Sequence, residues 1–163
     1  MQLVDALKSI GFGPELVTFI VSMIPVVELR GAIPIGVYLG LPVWKAFVIS
    51  VMGNLIPAPF IIAFCRWGFD FIRSHIRWLS NFVSKLEAKA EKNRAKVEKG
   101  EFWGLLAFVA IPLPGTGAWT GALVASLLDM RLKNCLPAIT LGVLIAGGIV
   151  MAVTFGVISV GAL

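Results

Sequence analysis

Charge is scarce in this 163-residue chain: Asp, Glu, Lys and Arg make up 14% of it while 58% is hydrophobic, against about 25% charge in an ordinary soluble domain. That shortage excludes a soluble globular protein. Cysteine is nearly absent as well, and Cys65 and Cys135 have no CxxC spacing and no histidine cluster beside them, so neither a disulfide framework nor a metal site is indicated. Both read as small apolar packing residues. The single histidine, His75, reads as an interfacial surface residue. With no Ser-His-Asp set and no metal cluster, the chain is expected not to be an enzyme, with no catalytic residues and no cofactor. ATP-binding motifs are missing too. Met1 to Ile10 carries Asp5 and Lys8 and has no long apolar core, so no signal peptide is expected there. The net charge of +5 comes without any base-reading module, and nucleic acid is not an expected partner.

What is present is long apolar sequence. Ala46 to Cys65 and Cys135 to Leu163 contain no formal charge and reach the roughly 20 residues needed to cross a bilayer. The chain therefore reads as an all-α integral membrane protein with one membrane domain. Charge divides it into residues 1–65, a charged segment 66–101, and residues 102–163. The outer parts resemble each other. Ile24-Pro25, Gly31-Ala32-Ile33, a turn near Leu39 to Trp44 and Gly53 in the first are matched by Ile111-Pro112, Gly121-Ala122-Leu123, a turn at Asp129 to Asn134 and Gly142 in the second, at offsets of 87 to 90 residues.

Each repeat opens with an apolar stretch broken in its middle. Leu16 to Val27 precedes Glu28-Leu29-Arg30-Gly31 and Ala32 to Trp44 follows it; Phe102 to Ile111 precedes Pro112-Leu113-Pro114-Gly115-Thr116-Gly117 and Ala118 to Leu128 follows it. At 1.5 Å per residue each piece reaches about half of a 30 Å core. The pattern predicts two re-entrant helical hairpins, each followed by one transmembrane helix; a single kinked helix through each break is the alternative. One crossing per repeat makes the second repeat inverted. The linker, with nine Lys or Arg residues from Arg66 to Lys99, then shares a side with Arg131 and Lys133, against Lys8 and Lys45 on the other. By the positive-inside rule the linker is cytoplasmic and both termini lie outside a multi-pass protein. Four full spans would also place the linker inside, but with the termini. Tyr38 and Trp44 fit the outer interface, and Trp67, Trp78 and Trp103 the cytoplasmic one, although simple packing explains them equally well. Along the linker, Phe69, Ile72, Ile76, Leu79, Val83, Leu86 and Ala90 recur at spacings of three and four, which predicts an amphipathic helix.

Glu28 and Arg30 are the sharpest functional signal. A charge deep in a bilayer costs at least roughly 2.5 to 3.5 kcal/mol on insertion scales, so two of them between apolar runs imply a protein-lined or wet site. Glu28 can take up and release a proton, whereas Arg30 stays charged and can hold an anion. A structural ion pair closing the hairpin tip is the plain alternative. The second break has no charge and offers backbone amides, Gly31-like small residues in Gly115 and Gly117, the hydroxyls of Thr116 and Thr120, and a half-helix amino terminus that favours an anion. A glycine-rich turn needed only for sterics explains it as readily. Asn54 can face the tips or make a packing hydrogen bond. Small-residue pairs at spacing four, Gly148-Ala152-Gly156, Gly36-Gly40 and Gly117-Gly121, read as close helix contacts. The candidate site is thus Glu28 for ion coupling, with Arg30, Gly31, Asn54, Gly115, Thr116, Gly117 and Thr120 for substrate.

The loops Glu28-Leu29-Arg30-Gly31-Ala32-Ile33-Pro34 and Pro112-Leu113-Pro114-Gly115-Thr116-Gly117-Ala118-Trp119-Thr120-Gly121 resemble the two signature loops of the prokaryotic small multi-drug export protein family, over nearly the whole chain. That family is distantly similar to DedA-type membrane proteins, and the resemblance implies paired re-entrant hairpins, proton-linked transport and movement of lipid-linked phosphates. DedA-type proteins are expected to carry arginines in the second hairpin, which is neutral here. The expected function is a proton-coupled secondary transporter of the cytoplasmic membrane that exports or flips an amphipathic small molecule or lipid. A structural or assembly membrane protein without transport is the rival. Membrane lipids are expected partners, and a homo-oligomer, a dimer by preference, is expected because four short membrane elements enclose little volume.

Overall fold

A computed structural model describes residues 2–9, 11–75, 94–113 and 115–161, and the described residues are helices and short turns, with no strand among them. In chain order the helices are α1 (Gln2–Ser9), α2 (Pro14–Ser22), α3 (Glu28–Tyr38), α4 (Val43–Leu55), α5 (Pro57–His75), α6 (Arg94–Ala110), α7 (Ala118–Leu127) and α8 (Leu132–Gly161). Proline sets several boundaries. Pro14 starts α2 at the position where a missing N–H is harmless. Pro112 helps end the helix at Ala110. Pro57 offers no N–H to the Gly53 carbonyl and Pro59 none to that of Leu55, so the rod formed by α4 and α5 is interrupted at Ile56.

Two stretches, Val43–Gly68 and Leu132–Val157, are long and apolar enough to cross a membrane; Gly100–Ala110 and Ala118–Leu127 are shorter apolar helices. Large apolar side chains cover the outside of the long rods, among them Met52, Phe60, Phe64, Phe155 and Val157. A soluble protein would bury such residues. The interior is built instead on small ones: Ala32, Ala46, Ala118, Ala122 and Ala125 are fully buried and let backbones approach closely, with Leu29, Ile33, Val109, Ile139 and Val143 filling the space between them.

Packing follows the two long rods. α2 lies beside α4 and runs in the same direction, with Glu15 paired to Lys45 at 2.8 Å at one end and Ser22 against Gly53 at the other. α3 returns, so that Gly36 sits between Thr18 and Ala46. The turn between α2 and α3 therefore lies beside the middle of Val43–Gly68. On α8, α6 makes the corresponding contact: a Cβ at Gly142 would fall 2.7 Å from Val109 and 3.0 Å from the Leu106 carbonyl, as one at Gly53 would fall 2.7 Å from the Phe19 carbonyl. The two rods are antiparallel, since Phe47 and Val51 pack at Gly147 while Arg66, farther along the first rod, donates to the Met130 carbonyl at the start of the second.

One boundary differs from the sequence expectation. The first break is not at Glu28 to Gly31, which are the opening turn of α3; it lies at Met23 to Val27. Pro25 sets it by excluding the helical conformation from the residue before it, and the apolar character of this turn hid it. The second break, between Ala110 and Ala118, is where the prolines and glycines put it. α5 continues unbroken to His75. The stripe from Phe69 to Ala90, the His75 side chain and Trp78 lie outside the residues whose side chains are described.

Candidate functional site

The two turns meet, and the first hairpin supplies both charges. Glu28 opens α3 with φ of 48°, a left-handed conformation rare outside glycine, and its side chain is buried. This backbone turns the carboxylate away from its own helix and toward the amino terminus of α7. There Oε1 accepts the Trp119 backbone N–H at 3.2 Å. Gly117 is the residue preceding α7, with φ of 143° and ψ of −170°, a region open to glycine alone, and it has no side chain to cap the helix. A Cβ on Gly117 would overlap the Glu28 carboxylate and fall 2.7 Å from its Cδ. Glu28 thus occupies the position of a capping side chain, supplied from the other half of the chain. An anion there meets free amides and the positive end of the helix dipole, worth about 0.5 to 2 kcal/mol.

Arg30, half-buried, makes the reciprocal contact. Its guanidinium donates to the carbonyls of Leu113 and Thr116 and, at 2.9 Å, to the Thr116 hydroxyl. The hydroxyl in turn donates to the Ile111 carbonyl at 2.6 Å and accepts the Leu113 N–H at 3.2 Å, which holds the second turn in one shape. Arg30 and Glu28 are 3.9 Å apart, a loose pair whose members each bond more closely to the second hairpin than to each other. The neutral second turn is therefore complementary to the first: its helix end takes the carboxylate and its carbonyls take the guanidinium.

Of the residues the sequence pointed to, Glu28, Arg30, Thr116 and Gly117 come together. Gly115 is exposed, Thr120 and Gly31 are half-buried, and no side-chain hydrogen bond ties any of the three to this cluster. Asn54 is fully buried, and neither atom of its amide has a hydrogen-bond partner, so the packing hydrogen bond expected of it is not made among the described residues. Trp119 is the residue the sequence did not single out. Besides its backbone bond to Glu28, its indole Nε1 donates to the Met23 carbonyl at 3.1 Å, so it stitches α7 to the first turn. A tryptophan at the start of a buried half-helix, with an N–H that must be satisfied, was the available signal. No group of three or more His, Cys, Asp or Glu that could hold a metal occurs among the described residues.

A family model described as "Putative small multi-drug export protein" matches residues 28–149, from Glu28 at the start of α3 through the second turn and into α8. No curated protein and no solved structure matches the chain.

Proposed function

The chain belongs to the small multi-drug export protein family, a family of membrane-embedded exporters, and from that premise we propose that it is a proton-coupled secondary transporter whose moving part is the contact between the two turns. The observation that carries the proposal is the crossed pair of bonds: Glu28 caps α7 while Arg30 holds the Leu113 and Thr116 carbonyls. Protonation of Glu28 removes the charge that the α7 amino terminus attracts and weakens its bond to Trp119. The turns then loosen at α7, and Arg30, still on the Leu113 and Thr116 carbonyls, can exchange them for a substrate together with the freed amides of the second turn. Exchange between these conditions is a coupling cycle in which one buried carboxylate exchanges its proton for release of the helix end.

The architecture proposed for this cycle is an inverted repeat of two re-entrant hairpins. Three features support it: the antiparallel rods, the matching close contacts at Gly53 and Gly142, and the position of the first turn beside the middle of Val43–Gly68. We place the protein in the prokaryotic cytoplasmic membrane with residues 66–101 inside and both termini outside, following the distribution of Lys and Arg. The working unit is a homo-oligomer, with a dimer the simplest form, in contact with membrane lipids. Substrates are amphipathic: a lipophilic cation drawn by Glu28, or a lipid phosphate drawn by Arg30, the latter if the similarity to DedA-type proteins extends to cargo. No enzymatic role, cofactor or nucleic-acid partner is proposed.

The test is reconstitution into vesicles carrying an imposed pH gradient, with a fluorescent lipophilic cation and a short-chain fluorescent lipid phosphate as probes. Gradient-dependent movement of one probe by the wild type, lost in Glu28→Gln, is expected. Transport by Glu28→Gln with its full gradient dependence removes the proton role. The rival reading, a structural clamp, is favoured by the way Arg30 is satisfied by backbone carbonyls. It predicts that Glu28→Gln and Arg30→Gln lower the melting temperature and that no probe moves in any variant.

A further inference from the structure

Four buried side-chain polar atoms among the described residues have no hydrogen-bond partner, and three of them belong to Ser50 and Asn54. Both residues are fully buried, and they stand one turn apart on the same side of α4. An orphaned buried polar group is a penalty that a folded chain avoids unless something fills the gap. Their surroundings are rich in acceptor oxygens. α4 ends at Leu55, and Pro57 and Pro59 leave the Gly53 and Leu55 carbonyls without their helical donors. α2 ends beside it at Ser22, whose hydroxyl and the Phe19 carbonyl press against Gly53. The carboxyl end of α2 and the freed carbonyls of α4 thus converge on this point, where α5 begins.

Comparison of the two halves shows that packing does not require these polar atoms. The contact of Phe19 and Ser22 with Gly53 is repeated by Leu106 and Val109 with Gly142. At the same offsets Ser50 and Asn54 become Ile139 and Val143, and Val109, Ile139 and Val143 are all buried in the apolar core. The prolines are missing there as well, with Ala146 and Gly148 in place of Pro57 and Pro59. One crossing is built twice, and its polar version occurs once.

We propose that the converging ends of α2 and α4 bind a dehydrated monovalent cation, sodium in the first instance, with Ser50 and Asn54 as its side-chain oxygen ligands. Helix carboxyl termini and freed carbonyls inside a membrane domain suit such an ion. A divalent ion would call for carboxylates in the ligand set, and this one is neutral. The donors that remain, the carboxamide nitrogen of Asn54 and the Ser50 hydroxyl proton, are left for water carried with the ion. The proposal does not rest on the proton reading of Glu28.

The experiment is thermal unfolding of the purified protein in sodium chloride and in choline chloride at equal ionic strength. Sodium is expected to raise the melting temperature of the wild type and of Glu28→Gln. Asn54→Val, which copies the second half, is expected to fold and to lose the shift; Ser50→Ala is expected to need about tenfold more sodium for the same shift. Equal melting temperatures of the wild type in the two salts overturn the proposal and leave the orphaned atoms to water. Loss of the shift in Glu28→Gln overturns it too, by assigning the ion to the carboxylate.

Discussion

Replacing Gly117 by alanine tests the trans-capping geometry directly. Two penalties arise at one atom. The backbone at φ 143° and ψ −170° is a conformation that costs a side-chain-bearing residue on the order of 1 to 3 kcal/mol. The new Cβ also displaces the Glu28 carboxylate, which would lie 2.7 Å away at its Cδ, and a lost hydrogen bond to a charged group is worth about 1.5 to 3 kcal/mol. Together they predict a loss of roughly 2.5 to 6 kcal/mol, or about 5 to 24 °C at 2 to 4 °C per kcal/mol for a chain of this size. Gly115→Ala is the control, because it has positive φ of 84° and nothing within 4 Å of its Cβ, so it carries only the backbone part. The assay is thermal unfolding of both variants in the wild-type and Glu28→Ala backgrounds. In the Glu28→Ala background the extra cost of Gly117→Ala over Gly115→Ala should shrink by at least about 1.5 kcal/mol. Equal destabilisation by the two glycine replacements in the wild-type background would show that Glu28 does not occupy the cap.

Other consequences follow from the same contacts. Thr116→Val removes the hydroxyl that joins Arg30 to the second turn and should lower stability by about 1 to 3 kcal/mol, read by chemical unfolding, whereas Thr120→Val should have less than half that effect. Gly142→Ala puts a Cβ against Val109 and the Leu106 carbonyl and should cost about 1 to 3 kcal/mol as overpacking, while Gly148→Ala, with open space around it, should be near neutral by the same measurement. The Lys45 hydrogen bond holds the exposed Glu15 carboxyl below its usual range. A lowered folded-state value stabilises above the unfolded value of about 4.3 and is lost as pH falls through the folded one; melting curves from pH 6 to 3 should therefore show an acid-side loss that Lys45→Met diminishes. Single cysteines at Gln2→Cys and Ala162→Cys, in a protein with Cys65 and Cys135 replaced, should react with an impermeant thiol reagent on intact cells. Protection of both ends would instead support four ordinary spans.

Composition and run length were enough to read the helical, membrane-type character of the chain, because a bilayer solvent imposes one simple demand on every outward side chain. Glycine and proline were enough to find the second turn. The first turn was misplaced by five residues because polarity at Glu28 and Arg30 was taken as the sign of a break, when an apolar turn around Pro25 does the breaking and the charged residues belong to a helix. What the sequence could not reveal was the direction of the carboxylate. That depends on a single positive φ at Glu28 and on a glycine about 90 positions away that leaves room for it.

The charge imbalance between the two turns follows from this arrangement. A second charged turn would face the first with nothing but like or opposite charges in a poorly solvated place, and each ion would need its own shell of partners. A neutral turn with a free helix end and exposed carbonyls satisfies both ions of the first turn at once, through dipoles that cost no desolvation of a further charge. Either bond can also be exchanged singly, since protonating Glu28 leaves the Arg30 contacts with the carbonyls in place. The pair can therefore loosen at α7 while Arg30 still holds Leu113 and Thr116, so in the proposed cycle the guanidinium contact is the later of the two to be exchanged. Arg30→Lys tests that anchor: a single ammonium point charge cannot span two carbonyls and a hydroxyl as the planar guanidinium does. The variant should keep the Trp119 bond to Glu28 and lose stability comparable to Arg30→Gln, and full retention of wild-type stability would remove the anchor.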